Sequence, residues 1–218
     1  MDSNVKGLVN LLNVCGKVGV GKFIQISTDE VFGSVETPST EDAVLNPSSP
    51  YSASKASAEM FCKAYVKTWN MPIVVVRSVN NFGPFQHEEK FIPTVIKNAL
   101  RGTSIPLYGN GKNRRTWIYV MDTCEIIYKL FRYGKCGETY NIGSEFNMEN
   151  IELAHRIITK INKRYDLISY VEDRLGHDFN YVVNDDKLLE LGVKQQTDFD
   201  SALDSTIKWY KEKWGINR

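Results

Sequence analysis

Apolar residues recur at two different spacings along this 218-residue chain. Val5, Leu8, Val9 and Leu12 return every three or four positions, which predicts an amphipathic helix over about 3–15. KFIQIS follows, a short run rich in apolar residues that predicts a strand over 22–27. A polar loop carrying Pro38, Pro47 and Pro50 leads into YSASKASAEMFCKAYVKTW, whose alanines and long side chains predict a helix over 51–69. PIVVVRS (72–78) is almost continuously apolar, the mark of a strand buried on both faces. Further along, helices are expected at 88–102, 121–133, 149–163, 185–191 and 200–214, and extended pieces at 105–109, 115–120, 139–143 and 168–172. Helices alternate with short apolar strands, the pattern of a parallel α/β sheet.

Composition narrows the class without choosing a function. The chain is 42% apolar and 24% charged with a net charge of +1, enough for a packed core. The charge gives no reason to expect nucleic acid or an acidic membrane as partner. No apolar run reaches the 18 or so residues of a membrane span, and MDSNVKG is too polar for a signal peptide. Cys15, Cys62, Cys124 and Cys136 form no C-x-x-C pair, which fits reduced thiols and a cytoplasmic location. His87, His155 and His177 are scattered, so no metal site is expected.

GKVGVGK (16–22) imitates a phosphate-cradling loop, but its surroundings are reversed. Such a loop works after a strand and before a helix, where free N–H groups meet the anion. Here a helix precedes and a strand follows, so Gly16, Gly19 and Gly21 are expected to end the helix and turn the chain. Phe23 stands where a magnesium-binding hydroxyl belongs.

Five stretches could carry chemistry. STDEVFG (27–33) places Thr28, Asp29 and Glu30 at the carboxyl end of the first strand, where ligands of open α/β sheets bind. Adjacent strand residues face opposite ways, so both acids reach one ligand only if the chain leaves strand geometry there. The alternative is a polar exit from the strand, with Asp29 as a cap. Tyr51 and Lys55 share a helix face at i, i+4, and a nearby ammonium would favour the phenolate as proton acceptor. SVNNFGP (78–84) offers paired amides or a simple turn. In GNGKNRRTW, Arg114 and Arg115 can bind phosphate bidentately or be solvated charge. DRLGHD (173–178) is either a ligand loop or a polar surface turn.

Taken in order, STDEVFG, PSSPYSASKASAE, RSVNNFGP, EKFIPTVIKNALRG, PLYGNGKNRRTWIYVMD, GETYNIG and DRLGHD resemble the nucleotide-sugar 4,6-dehydratases of the dTDP-glucose type, extended short-chain dehydrogenases. The resemblance runs from Asn4 to about Gly192. It implies an N-terminally truncated Rossmann-like parallel sheet with helices on both faces, formed by 1–78 and 112–143, plus a smaller α/β substrate domain, 79–111 and 144–218. It also implies NAD as a regenerated cofactor and a dTDP- or UDP-hexose as substrate. By this likeness Tyr51, helped by Lys55 and Thr28, takes the O4 proton during hydride transfer to NAD. Glu30 removes the C5 proton, Asp29 protonates the departing C6 hydroxyl, and hydride returns to C6. Asn80 would lie near the nicotinamide, beside Tyr51 and Lys55. Asn81, Lys90, Phe91, Pro106, Leu107, Tyr108, Arg115, Asn150, Asp173, Arg174, Gly176 and His177 would hold the nucleotide sugar. The helices at 3–15 and 51–69 would form a homodimer.

Several positions depart from that pattern: Phe32 for tyrosine, Thr116 for aspartate, Leu175 for proline and Val193 for tryptophan. The likeness also implies a preceding segment of about 80 or 90 residues, roughly half a dinucleotide fold. That segment would carry the GxxGxxG cradle, and without it the first strand would expose an apolar edge. The readings that follow are a shortened dehydratase, a non-catalytic remnant binding a nucleotide sugar or partner chain, and a related epimerase or decarboxylase.

Overall fold

The fold is described from a computed structural model, over residues 1–173 and 178–216. A wide first helical turn, Asp2–Gly7, runs into α1, Leu8–Val18. The helix ends at Gly19, whose φ of 76° lies in the left-handed region that glycine occupies without strain. Gly16 stays inside the helix, so the turn expected from the glycines begins three residues later. β1, Phe23–Thr28, comes next, and the chain then winds into a tight turn, Asp29–Phe32.

A long loop reaches α2, Pro50–Trp69. Its start is set by Ser49 and Ser52, each side chain accepting the other's backbone N–H at 3.1 Å, with Pro50 in the first turn, where its missing N–H costs nothing. β2, Ile73–Ser78, is buried along its whole length. β3 (Asn80–Phe82), α3 (Phe91–Arg101), β4 (Ile105–Tyr108), β5 (Arg114–Tyr119), α4 (Val120–Tyr133) and β6 (Thr139–Ile142) follow. The chain closes with β7 (Asn147–Glu149), α5 (Asn150–Ile161), β8 (Ile168–Val171), α6 (Asp186–Glu190) and α7 (Phe199–Lys213).

The strands form three small sheets. β1, β2 and β6 form a parallel sheet with β2 in the centre. Alternation along β2 explains why it had to be apolar throughout. Ile73 and Val75 pack on Leu8 and Leu12 of α1 and on Ala58, Cys62 and Tyr65 of α2. Val74 and Val76 pack the other way, with Ile126 and Leu130 of α4. β3 and β7 flank β5, in parallel and antiparallel pairing, and β4 pairs with β8. These strands share a separate core with α3, α5 and α7, centred on Phe82, Ile96, Leu153 and Phe199.

β1 lies at the edge of its sheet, as expected, and Ile26 is 41% exposed. The outward carbonyl of Ile26 is nonetheless engaged. Lys55 Nζ donates to it at 2.6 Å and Gln25 Nε2 at 2.9 Å. A lysine on an exposed edge discourages further strand pairing. The four cysteines are free thiols.

One buried ion pair ties α2 to the sheet. Arg77 of β2 and Glu59 of α2 are both fully buried. Arg77 donates through Nε at 3.0 and 3.1 Å and through Nη2 at 2.7 Å to the Glu59 carboxylate. Removing one partner leaves a buried charge uncompensated. Glu59→Ala is therefore expected to lose about 3–5 kcal/mol of stability in urea unfolding. A loss under about 1 kcal/mol, the range of exposed pairs, would contradict this account of the pair.

Candidate active site

The site begins where β1 stops. Thr28 is still extended (φ −146°, ψ 153°), and the next four residues form a tight helical turn. The Thr28 hydroxyl accepts the Glu30 N–H at 3.3 Å and donates to Asp29 Oδ1 at 3.2 Å. This departure from strand geometry is what the two adjacent acids required. Gly33 closes the turn at a φ of 70°, and a Cβ there would sit 2.3 Å from the Asn46 carbonyl oxygen. No other residue fits that position without moving the loop.

The acids part company. Asp29 is buried, and its Oδ2 has no hydrogen-bond partner among the described residues. Burial and then the charge of Glu30 raise its carboxyl to about 7, against the opposing pull of Thr28 and Arg115. Glu30 opens onto a cleft of about 650 Å³ between the two sheet regions. Burial also raises its pKa, while Arg115 and Lys90 pull it down and Asp178 adds to the rise. A carboxyl at about 7, as at Asp29, can exchange a proton near neutral pH.

Tyr51 stands in the first turn of α2, about half exposed. Its pKa is raised by partial burial and then by Glu30 and Asp29, so the phenol senses both carboxyls. The expected partner of the phenol, Lys55, is engaged elsewhere in this structure. Lys55 reaches the Ile26 carbonyl instead, because the free edge of β1 offers a backbone acceptor beside α2. Burial lowers the Lys55 pKa, and Glu59 opposes that.

The cleft brings together most of the other expected residues. Asn80 and Asn81 of β3 line it, with Lys90, Phe91, Pro106, Tyr108, Arg115 and Asn150. Leu107 does not: alternation on β4 turns Pro106 and Tyr108 outward and Leu107 into the core. Arg115 is 9% exposed and already engaged. Its Nη2 donates to the Asp178 carbonyl at 3.0 Å, and its guanidinium lies 4.5 Å from the Tyr181 ring centroid. Asp173 sits against Gly109 in the turn after β4. Arg174, Gly176 and His177 lie outside the described residues.

Gln86, Glu89, Thr94 and Trp117 also line the cleft and were not anticipated. Two had a signal. Thr94 follows Lys90 and Phe91 by one helical turn, and Trp117 shares a strand face with Arg115. Trp117 Nε1 and Gln86 Oε1 are buried without partners among the described residues, as is Asn81 Oδ1. Asp178 was missed as a support. It accepts from Tyr181 Oη at 2.6 Å and from the Ser48 hydroxyl, anchoring β5's neighbour to the approach to α2. Among the described residues, no strand–glycine loop–helix unit cradles a phosphate, and no group of three metal-ligating side chains converges.

Residues 1–143 match the NAD dependent epimerase/dehydratase family, and the chain belongs to that family. More particularly, it is 37% identical to the dTDP-glucose 4,6-dehydratase of Streptomyces niveus over 212 residues, which cover 96% of this chain and 63% of that protein. It is 40% identical to the low-salt glycan biosynthesis protein Agl12 of Haloferax volcanii, covering 96% and 68%. The crystal structure of a dTDP-glucose 4,6-dehydratase from Streptomyces venezuelae with NAD bound superposes with a TM-score of 0.96 at 38% identity, covering 98% of this chain and 67% of that one. The fold is accordingly Rossmann-like. The chain spans about two thirds or less of the length of several relatives, among them 58% of the Shigella flexneri dTDP-glucose 4,6-dehydratase.

The raised Asp29 has a thermodynamic consequence. A carboxyl whose pKa is higher folded than unfolded binds more protons in the folded state, so stability falls as pH rises from about 4 to about 7. Asp29→Asn removes that loss. In urea unfolding the variant should gain on the parent between pH 5 and pH 8, by up to roughly 3 kcal/mol. A parent–variant difference that does not change with pH would contradict the assignment.

Proposed function

We propose that this chain carries the catalytic and sugar-binding half of a nucleotide-sugar 4,6-dehydratase. The observation that carries the reading is the division of labour between Asp29 and Glu30. One is buried with a pKa near 7, and the other faces the cleft beside Arg115. Loss of water across C5 and C6 of a 4-keto hexose needs one acid and one base. A simple exchange of configuration at C4 needs neither, which favours this reading over an epimerase.

The roles follow from position. The Tyr51 hydroxyl takes the O4 proton, and Glu30 takes the C5 proton. Asp29 gives its proton to the departing C6 hydroxyl. NAD, when bound, supplies the acceptor and donor of hydride. The half-exposed Tyr51 phenol and the Lys55 ammonium, adjacent on α2 at the open edge of β1, fit the ribose and nicotinamide of such a cofactor, with Asn80 nearby. Lys55 would have to exchange the Ile26 carbonyl for the ribose. Lys90 and Arg115 offer cationic partners for a diphosphate, and the aromatic rings of Phe91 and Trp117, 6.1 Å apart, offer a wall for the base. By the resemblance Asp173 and, outside the described residues, Arg174, Gly176 and His177 would also serve the nucleotide sugar, and Leu107 would contribute through its backbone.

A second reading has its own support. In it the chain binds a nucleotide sugar in the cleft lined by Lys90, Phe91 and Arg115 without turning it over. Equilibrium binding separates the two. Submillimolar affinity for NAD together with a nucleotide sugar supports catalysis, and nucleotide-sugar binding alone supports the second reading. If turnover occurs, Glu30→Gln should lower it by about 10²–10⁴-fold. Unchanged formation of product, or a product without a 4-keto-6-deoxy group, rules out dehydration.

The chain is also proposed to pair with a second copy through α1 and α2. Leu8 and Leu12 bind α1 to α2, and Tyr65 Oη donates to Asn13 at 2.8 Å. Leu11, Val14 and Val18 remain exposed on α1, and Met60, Phe61 and Trp69 on α2. An apolar surface of this kind marks an association site. Light scattering at micromolar concentration should give twice the 24.9 kDa chain mass; monomer mass would refute the pairing.

A further inference from the structure

Three segments of the site region meet at one buried cation. The edge of the Arg77 guanidinium binds Glu59, eight residues after Tyr51 and four after Lys55 on α2. Its Nη1 donates to the Glu41 carbonyl at 2.9 Å. The Glu41 side chain in turn accepts the Asn141 N–H at 2.9 Å, which ties that loop to β6. The face of the guanidinium lies 4.8 Å from the centroid of the Phe32 ring. Phe32 is the last residue of the turn that bears Asp29 and Glu30, and it is almost fully buried.

The arrangement uses what distinguishes arginine from lysine. A planar guanidinium binds a carboxylate with its edge while an aromatic ring covers its face. An ammonium can hold one of these partners in line but not both. α2 and the acid-bearing turn have no other fully buried charged contact in common among the described residues.

We propose that Arg77 is a positioning residue that sets the acid pair relative to the tyrosine, acting through Glu59 on α2 and Phe32 on the turn. This rests on the roles given above to Asp29, Glu30 and Tyr51. Arg77 touches no ligand in this account. It fixes the distance across which an acid, a base and a phenol must reach one hexose, and such placement affects rate steeply. The same contact explains why an aromatic ring persists at position 32, where the resembling family commonly has tyrosine.

The test uses the full chain with 13C-labelled tyrosine rings and carboxyl carbons, and Tyr51→Phe to assign the tyrosine signal. In the parent, the Tyr51 resonance should move as Asp29 titrates near pH 7. The groups around Asp29 in that titration are Glu30, Thr28 and Arg115. Phe32→Leu keeps the Arg77–Glu59 pair and removes only the ring. It should stay folded by circular dichroism, drop the Asp29 midpoint by about one pH unit or more, and abolish the Tyr51 response. Phe32→Tyr should restore both, and Arg77→Lys, if folded, should behave as Phe32→Leu. An Asp29 midpoint and Tyr51 response unchanged in folded Phe32→Leu would overturn the proposal while leaving the site intact. A parent in which Tyr51 never senses Asp29 would overturn the site reading, and the proposal with it.

Discussion

The chemistry of this molecule depends on how abruptly β1 ends. Had the strand continued by two residues, Asp29 and Glu30 would face opposite sides of the sheet. The Thr28 hydroxyl stops it by accepting the Glu30 N–H, and Gly33 reverses the chain against Asn46. The outcome is one carboxyl driven into the interior and one left at a cleft. Burial raises both carboxyls, Asp29 to about 7, and the proposed roles of acid and base rest on their different exposure to the cleft.

The surroundings sharpen that difference. Arg115 reaches both carboxyls electrostatically and holds the carbonyls of Asp178 and Phe179 with its own donors. The segment around Asp178 is thereby tied to β5 and, through Ser48, to the approach to α2. The cleft lies between the parallel sheet that carries the acids and the α3–α5–α7 core that carries Lys90, Phe91 and Asn150. The proposed catalytic and ligand-holding groups thus come from different parts of the fold and meet along this cleft.

Much of this was legible in residue order. α2 and β2 declare themselves by composition and by an unbroken apolar run, and both begin within one residue of the expected position. β3 and β7 did not, because three-residue strands reading NNF and NME look like turn and polar sequence. Division into three sheets was also hidden, since strand partners are chosen by tertiary packing and not by local pattern. At the site, Asp29 and Glu30 could be picked out because their spacing posed a geometric problem. Helical spacing puts Lys55 on the Tyr51 face, but it does not reveal that a carbonyl on β1 accepts the ammonium in this structure. Asp178 stands inside the DRLGHD stretch, but its part as a hydrogen-bonded support, like Gln86, becomes visible only once the chain is folded.

The central claim is that one hexose can be reached by Asp29, Glu30 and Tyr51 together. A crystal structure of the chain soaked with a nucleotide sugar tests it most directly. The account predicts the C5–C6 edge of the hexose between the two carboxyl groups, with its O4 within hydrogen-bond distance of the Tyr51 hydroxyl. A hexose bound elsewhere in the cleft, with the three side chains opening onto separate surfaces, would contradict it.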